Sequence, residues 1–209
     1  MKYLTRKVVA FFLLLTLLAT VGCTEQTSNA TTAVQVYMVA LSNFNLSAME
    51  DSITEGSNQD MGIDTSIYEV HNVQTDAYKK AVDSMYHALS ETIEFEIHGT
   101  EDVGDGIMLV DTTLKCADVN QQAVAELVQS KVDEYIRKHP SYERKTETEK
   151  NDIAIRIIAE AYKEFVRIEP KVSEKIKIAV TETDNGWRVI NGDRNYDLKQ
   201  WIQGVFGTF

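Results

Sequence analysis

The chain opens with three cationic side chains, Lys2, Arg6 and Lys7, followed by fourteen uncharged residues from Val8 to Val21, then Gly22 and Cys23. That order is the tripartite layout of an export signal. As a helix, the apolar run would reach roughly 21 Å, short of the roughly 30 Å needed to span a bilayer core. A cleaved leader is therefore expected over residues 1–22.

Beyond it, Val34, Tyr37, Met38, Leu41 and Phe44 recur at the three-and-four spacing of an amphipathic helix, which the pattern places over residues 33–44. A short helix from Ser47, as N-cap, to Ile53 is expected next, then a long loop over residues 55–72. Residues 75–90 form another helix, with Tyr78, Ala81, Val82, Met85 and Leu89 on one stripe. The period then falls to two: Ile93, Phe95 and Ile97 alternate with Glu94, Glu96 and His98, and a turn at residues 102–106 leads into a second strand over 107–116.

Two long helices follow. Residues 120–138 carry Val124, Leu127, Val128, Val132, Tyr135 and Ile136 on one face and stop before Pro140. Residues 146–168 begin with a Thr146/Glu149 capping box, and their apolar stripe, from Ile153 to Ile168, is wide enough to need two packing partners. A second hairpin spans residues 175–191 around Asn185-Gly186, and a last helix covers 195–205. The fold class this implies is α+β: a curved antiparallel sheet of about four strands packed against helices, with a two-helix insertion, in one domain over residues 33–209.

Composition agrees with a folded protein of one or two domains: 209 residues, 44% hydrophobic, 25% charged, with ten Gly and two Pro. The net charge is -11; three of the 21 basic residues and none of the 32 acidic ones precede Cys23, so loss of the leader makes it -14. Such a chain has no general field for nucleic acid or anionic lipid.

Thr20-Val21-Gly22-Cys23 resembles the lipobox of bacterial lipoproteins. Gly22 and Cys23 match it, whereas Thr20 stands where a large aliphatic is usual and Val21 where Ala or Ser is commoner. The resemblance implies cleavage before Cys23 and attachment of a diacylglycerol to its thiol, with fatty chains such as palmitate as the anchor. A plain secretory leader with a chance cysteine is the alternative. Residues 23–32 read as the lipidated N-terminus and a solvated tether. Cys116 is then left without a disulfide partner and falls on the side of Leu114 and Thr112, as a small core residue would.

Four features carry a second resemblance: Tyr37-Met38-Val39-Ala40-Leu41 with Asn43-Phe44-Asn45-Leu46, the strand Thr92-Ile93-Glu94-Phe95-Glu96, the helical insertion, and Asn185-Gly186-Trp187-Arg188-Val189. Together they look like small extracytoplasmic lipoproteins of Gram-positive bacteria with an NTF2-like, cone-shaped domain, a group of unknown function. The resemblance implies a pocket between sheet and helices. Since NTF2-like isomerases and dehydratases use a Tyr with acidic or His partners there, it makes Tyr37, Tyr78, Tyr86 and Asp111 the candidate pocket residues.

Metalloprotease, P-loop, nucleophile-elbow, dinucleotide and CxxC signatures are absent from the sequence. Glu94, Glu96 and His98 could offer two oxygens and a nitrogen to a cation, but they read better as a solvent-facing strand, and His71, His87 and His139 have no second ligand at helical spacing. Asp102 and Asp105 read as a hydrophilic hairpin tip. Trp187 is expected as a core plug, and Trp201 as either core or surface. No metal or cofactor is expected. The sequence points to a membrane-anchored, non-enzymatic domain that binds a small ligand or an envelope protein. The alternatives are a cone-fold enzyme acting on a small hydrophobic molecule and a structural envelope protein.

Overall fold

The computed structural model describes residues 25–64 and 75–206; the leader, Cys23 and His71 lie outside them. Helix α1 (Glu25–Ser42) starts within the segment expected as a tether. The correction has a local cause: Ala30 is fully buried, and Thr31 and Thr32 donate their hydroxyls to the Ser28 carbonyl at 2.9 and 2.8 Å, which satisfies polar side chains without leaving the helix. The buried stripe continues through Ala33, Val34, Tyr37, Met38 and Leu41.

α1 ends with Phe44 at φ +47°, while the N–H of Asn45 reaches the Ala40 carbonyl at 2.9 Å and that of Phe44 reaches Leu41 at 3.0 Å. This is a Schellman ending with a bulky residue where glycine is usual. The Phe44 ring is held there by stacking on Tyr86, with centroids 4.6 Å apart. Asn45, not Ser47, then caps the short helix α2 (Leu46–Glu50), accepting from the N–H of Ala48. Residues 55–64 follow as turns, with Met61 and Ile63 buried.

Helix α3 (Asp76–Ser90) is capped by Thr75, whose hydroxyl also bonds Asp152 at 2.6 Å. Four antiparallel strands come in spatial order β1 (Glu94–Gly104), β2 (Ile107–Ala117), β3 (Lys171–Thr183) and β4 (Gly186–Val189). Between β2 and β3 stand α4 (Gln121–Lys138) and α5 (Glu147–Ile168), and α6 (Tyr196–Phe206) is the last element among the described residues. The sheet is open, with one face against helices: α1 crosses all four strands.

The first hairpin turns within the expected segment, at its end, and the second turns one position earlier than expected. The first is a two-residue turn at Asp105-Gly106, where φ of +54° and +71° gives the twist that joins antiparallel strands. In the second, the positive φ falls on Gly186 (+90°), paired to Thr183, so Asp184 and Asn185 form the turn and the glycine closes it.

Alternation sorts the sheet into two faces. Phe95, Ile97, Val110, Leu114, Ile178 and Val180 belong to the core. The opposite face carries acidic Glu94, Glu96 and Glu101 on β1 and basic Lys175 and Lys177 on β3, as expected for a sheet solvated on one side. On the helical side, the wide stripe of α5 buries Ile153, Ile155, Ile157, Tyr162 and Phe165 and is covered by α3 and α4, the two partners it required. Ile168 falls outside that stripe and is 74% exposed. α4 is the peripheral layer: Val124 is buried, whereas Ile136 at its far end is exposed.

Candidate functional site

Tyr37 on α1 and Tyr78 and Tyr86 on α3 all project into the packed interior. Tyr86 stacks on Phe44, lies 5.9 Å from the Phe206 ring, and donates its hydroxyl to the Asp64 carbonyl at 2.8 Å. Tyr162, which the sequence reading passed over as part of a helical stripe, joins this aromatic group and donates to Gln121 at 3.1 Å. Tyr37 is wholly buried, and its hydroxyl meets no acceptor among the described residues.

Burial suppresses phenolate formation at all four positions. The Tyr162 pKa is pushed up to about 12, and those of Tyr37, Tyr78 and Tyr86 also rise. At neutral pH these phenols are hydrogen-bond donors, not bases.

Asp111 is elsewhere. It follows Val110 on β2, so alternation turns it to the solvated face, where its carboxylate is half exposed and 4.0 Å from the Lys177 ammonium. The sheet thus stands between this carboxylate and the three tyrosines, and an acid–phenol pair in one pocket is not formed. The clefts of about 450–650 Å³ on the surface are lined by none of Tyr37, Tyr78 and Tyr86; Asp111 lines one of about 450 Å³ with His98, Lys175 and Lys177.

The Glu94, Glu96 and His98 row is drawn apart by its neighbours. Glu94 pairs with Lys171 at 2.6 Å, and a bulge after Ile97 aims His98 at the Thr113 hydroxyl, 2.6 Å away, with Glu96 at 3.9 Å. Among the described residues no three potential metal ligands converge. At the hairpin tip Glu101 turns back to Lys177 at 2.6 Å and Asp102 accepts from the N–H of Gly104, an arrangement that stabilises the turn.

Cys116 lies on the core face, and burial, reinforced by the nearby carboxylates of Asp118 and Glu174, pushes its thiol up to about 11. It is not a nucleophile at neutral pH. Trp201 is a core residue. Trp187 is not the expected core plug: it is half-buried and, with Arg188, Val36 and Asp51, lines a cleft of about 550 Å³ beside α1.

The sequence could not have shown the relation between β3, β4 and α6. β4 covers only the last part of β3, and α6 runs beside the remainder, with Val172 and Ser173 facing Tyr196, Gln200 and Gly204 across a cleft of about 580 Å³. Strand lengths decide this, and periodicity alone does not fix them.

No protein-family model matches the chain, and no curated protein matches it. A solved structure of similar fold is that of YcdA, a proposed lipoprotein of Bacillus subtilis subsp. subtilis strain 168; the two share 14% identity over 88% of this chain, with a TM-score of 0.57. This chain spans 58% of the length of that protein. Among the described residues no helix is long and apolar enough to cross a membrane.

Proposed function

We propose that the chain is a lipoprotein held on the outer face of the bacterial cell membrane by an acylated Cys23, and that its folded domain binds a partner without catalysing a reaction. The observation that carries the reading is the leader, a basic start and a fourteen-residue apolar run ending at Gly22-Cys23. The fold likeness to the proposed Bacillus lipoprotein supports it.

A sheet with one helix laid across its four strands also suits an NTF2-like cone, here with a filled interior. Packing around Tyr37, Tyr78 and Tyr86, with Asp111 on the far side of the sheet, favours binding over catalysis. Since α1 starts at Glu25, the domain would sit close to the bilayer, not on a long tether.

Replacing Cys23 with Ala tests the anchor. In detergent phase partition the parent protein should enter the detergent phase and the C23A variant the aqueous phase. Retention of C23A with detergent would overturn the reading.

A further inference from the structure

Asn-Gly occurs twice in the chain, at 185–186 and 191–192. In this pair an asparagine loses its side-chain amide most readily, because a following residue without a Cβ leaves its backbone nitrogen open to the asparagine Cγ. To bring the two atoms together, the asparagine must turn about its own backbone and side-chain bonds. A side chain held by hydrogen bonds cannot make that turn without first breaking them.

The fold treats the two pairs differently. Asn185 is exposed in the turn between β3 and β4. Its backbone N–H donates to the Thr183 hydroxyl at 3.2 Å, but no hydrogen bond from the described residues meets its side chain. A Cβ added to Gly186 would find only the Arg188 guanidinium nearby, at 3.8 Å, so the approach to Gly186 is open. Gly186 pairs with Thr183 at the very end of the ladder, where opening is a local event.

Asn191 is clamped. Its N–H donates to the Thr54 hydroxyl at 2.9 Å, and its side-chain amide donates to the Glu55 carbonyl at 3.0 Å, with the Asp60 carboxylate 3.5 Å away. Its Oδ1 is shut off from solvent, and its amide nitrogen fills the space that a Cβ on Gly56 would need.

We infer that Asn185 is a site of spontaneous deamidation in the folded protein, and that the contacts of Asn191 protect the second Asn-Gly. The Gly186 nitrogen, having lost its proton to solvent hydroxide, attacks Cγ of Asn185. A bond forms between them, the Cγ–Nδ2 bond breaks, and the amide nitrogen leaves as ammonia with a proton from water. Water then opens the cyclic imide at one carbonyl or the other, giving aspartate or isoaspartate. Either product adds a carboxylate to a cleft of about 650 Å³ already lined by Glu50, Asp51, Glu55 and Asp184, with Arg188 as its cation. Isoaspartate also lengthens the main chain in the turn that sets the β3–β4 register.

Trypsin separates the two sites, since cleavage after Lys177, Arg188 and Arg194 yields peptides 178–188 and 189–194, each with one Asn-Gly. The purified protein is aged in mildly alkaline buffer, with a parallel sample in urea, and the mass gain of amide to acid is followed in both peptides. In buffer, peptide 178–188 should convert about tenfold faster than 189–194 or more, because two bonds at Asn191 must break first. In urea the two rates should become comparable. Three results would overturn the inference: equal conversion of the two peptides in buffer, faster conversion of 189–194, or no conversion of 178–188 over a time in which the urea sample has converted.

Discussion

The side-chain amide of Asn195 bonds both backbone groups of Ala179, accepting from its N–H at 2.7 Å and donating to its carbonyl at 2.9 Å. The same nitrogen lies 2.6 Å from the Ile190 carbonyl. One side chain therefore does at Ala179 what the next strand residue would have done, just where β4 has ended. It is almost wholly buried, so the Ala179 groups cannot turn to water instead. N195A should lower stability by about 3 kcal/mol, from the loss of several buried hydrogen bonds, and urea denaturation reads it directly. A loss below about 1 kcal/mol would mean that the strand edge is satisfied in another way.

Tyr37 presents the opposite situation, a buried hydroxyl with no acceptor among the described residues. Y37F keeps the ring and removes the unpaired group, so the expected result is unchanged stability or a gain of about 1 kcal/mol. A clear loss would show that the hydroxyl has a partner that stabilises the fold.

Cys116 sets an alkaline limit. Its thiol ionises near 9 in an unfolded chain and near 11 in the folded one, so the folded state holds its proton longer. Between those values the unfolded state binds fewer protons, and stability falls as pH rises; below about 9 the contribution is fully present. The loss should be on the order of 1–2 kcal/mol by pH 11, and C116A should flatten the pH dependence of the urea midpoint over that interval. Iodoacetamide should label Cys116 at pH 8 far faster in urea than in buffer.

The inserted helices should respond unequally to truncation. Ile157 is buried between α5 and its neighbours, and I157A should cost about 3 kcal/mol, since it leaves a cavity in a packed layer. Ile136, at the exposed end of α4, should cost less than about 0.5 kcal/mol when changed to Ala. Equal effects would mean that the end of α4 is covered in solution.

Helix periodicity marked α3, α5 and α6 because each has a clear buried stripe, and α4 because its apolar face is half-covered around Val124; Thr146 with Glu149 forms the capping box their spacing required. The alternation of Ile93, Phe95 and Ile97 against Glu94, Glu96 and His98 also holds, because one face of the sheet meets the core and the other meets water. The start of α1 was not legible: residues 25–32 are polar in composition, and the burial of Ala30 and the bonds from Thr31 and Thr32 to the Ser28 carbonyl show only in three dimensions. Nor was the placement of Asp111 relative to Tyr37, Tyr78 and Tyr86, since a side-chain period assigns a residue to a face but does not say which face meets which helix. Asn195 carried no local signal either, because its partner lies sixteen residues away.

The mass of the intact protein isolated from bacterial membranes tests the address most directly. If the address is right, the chain begins at Cys23 and carries the added mass of a thioether-linked diacylglycerol. A chain that still begins at Met1, or one cut elsewhere and free of lipid, would contradict it.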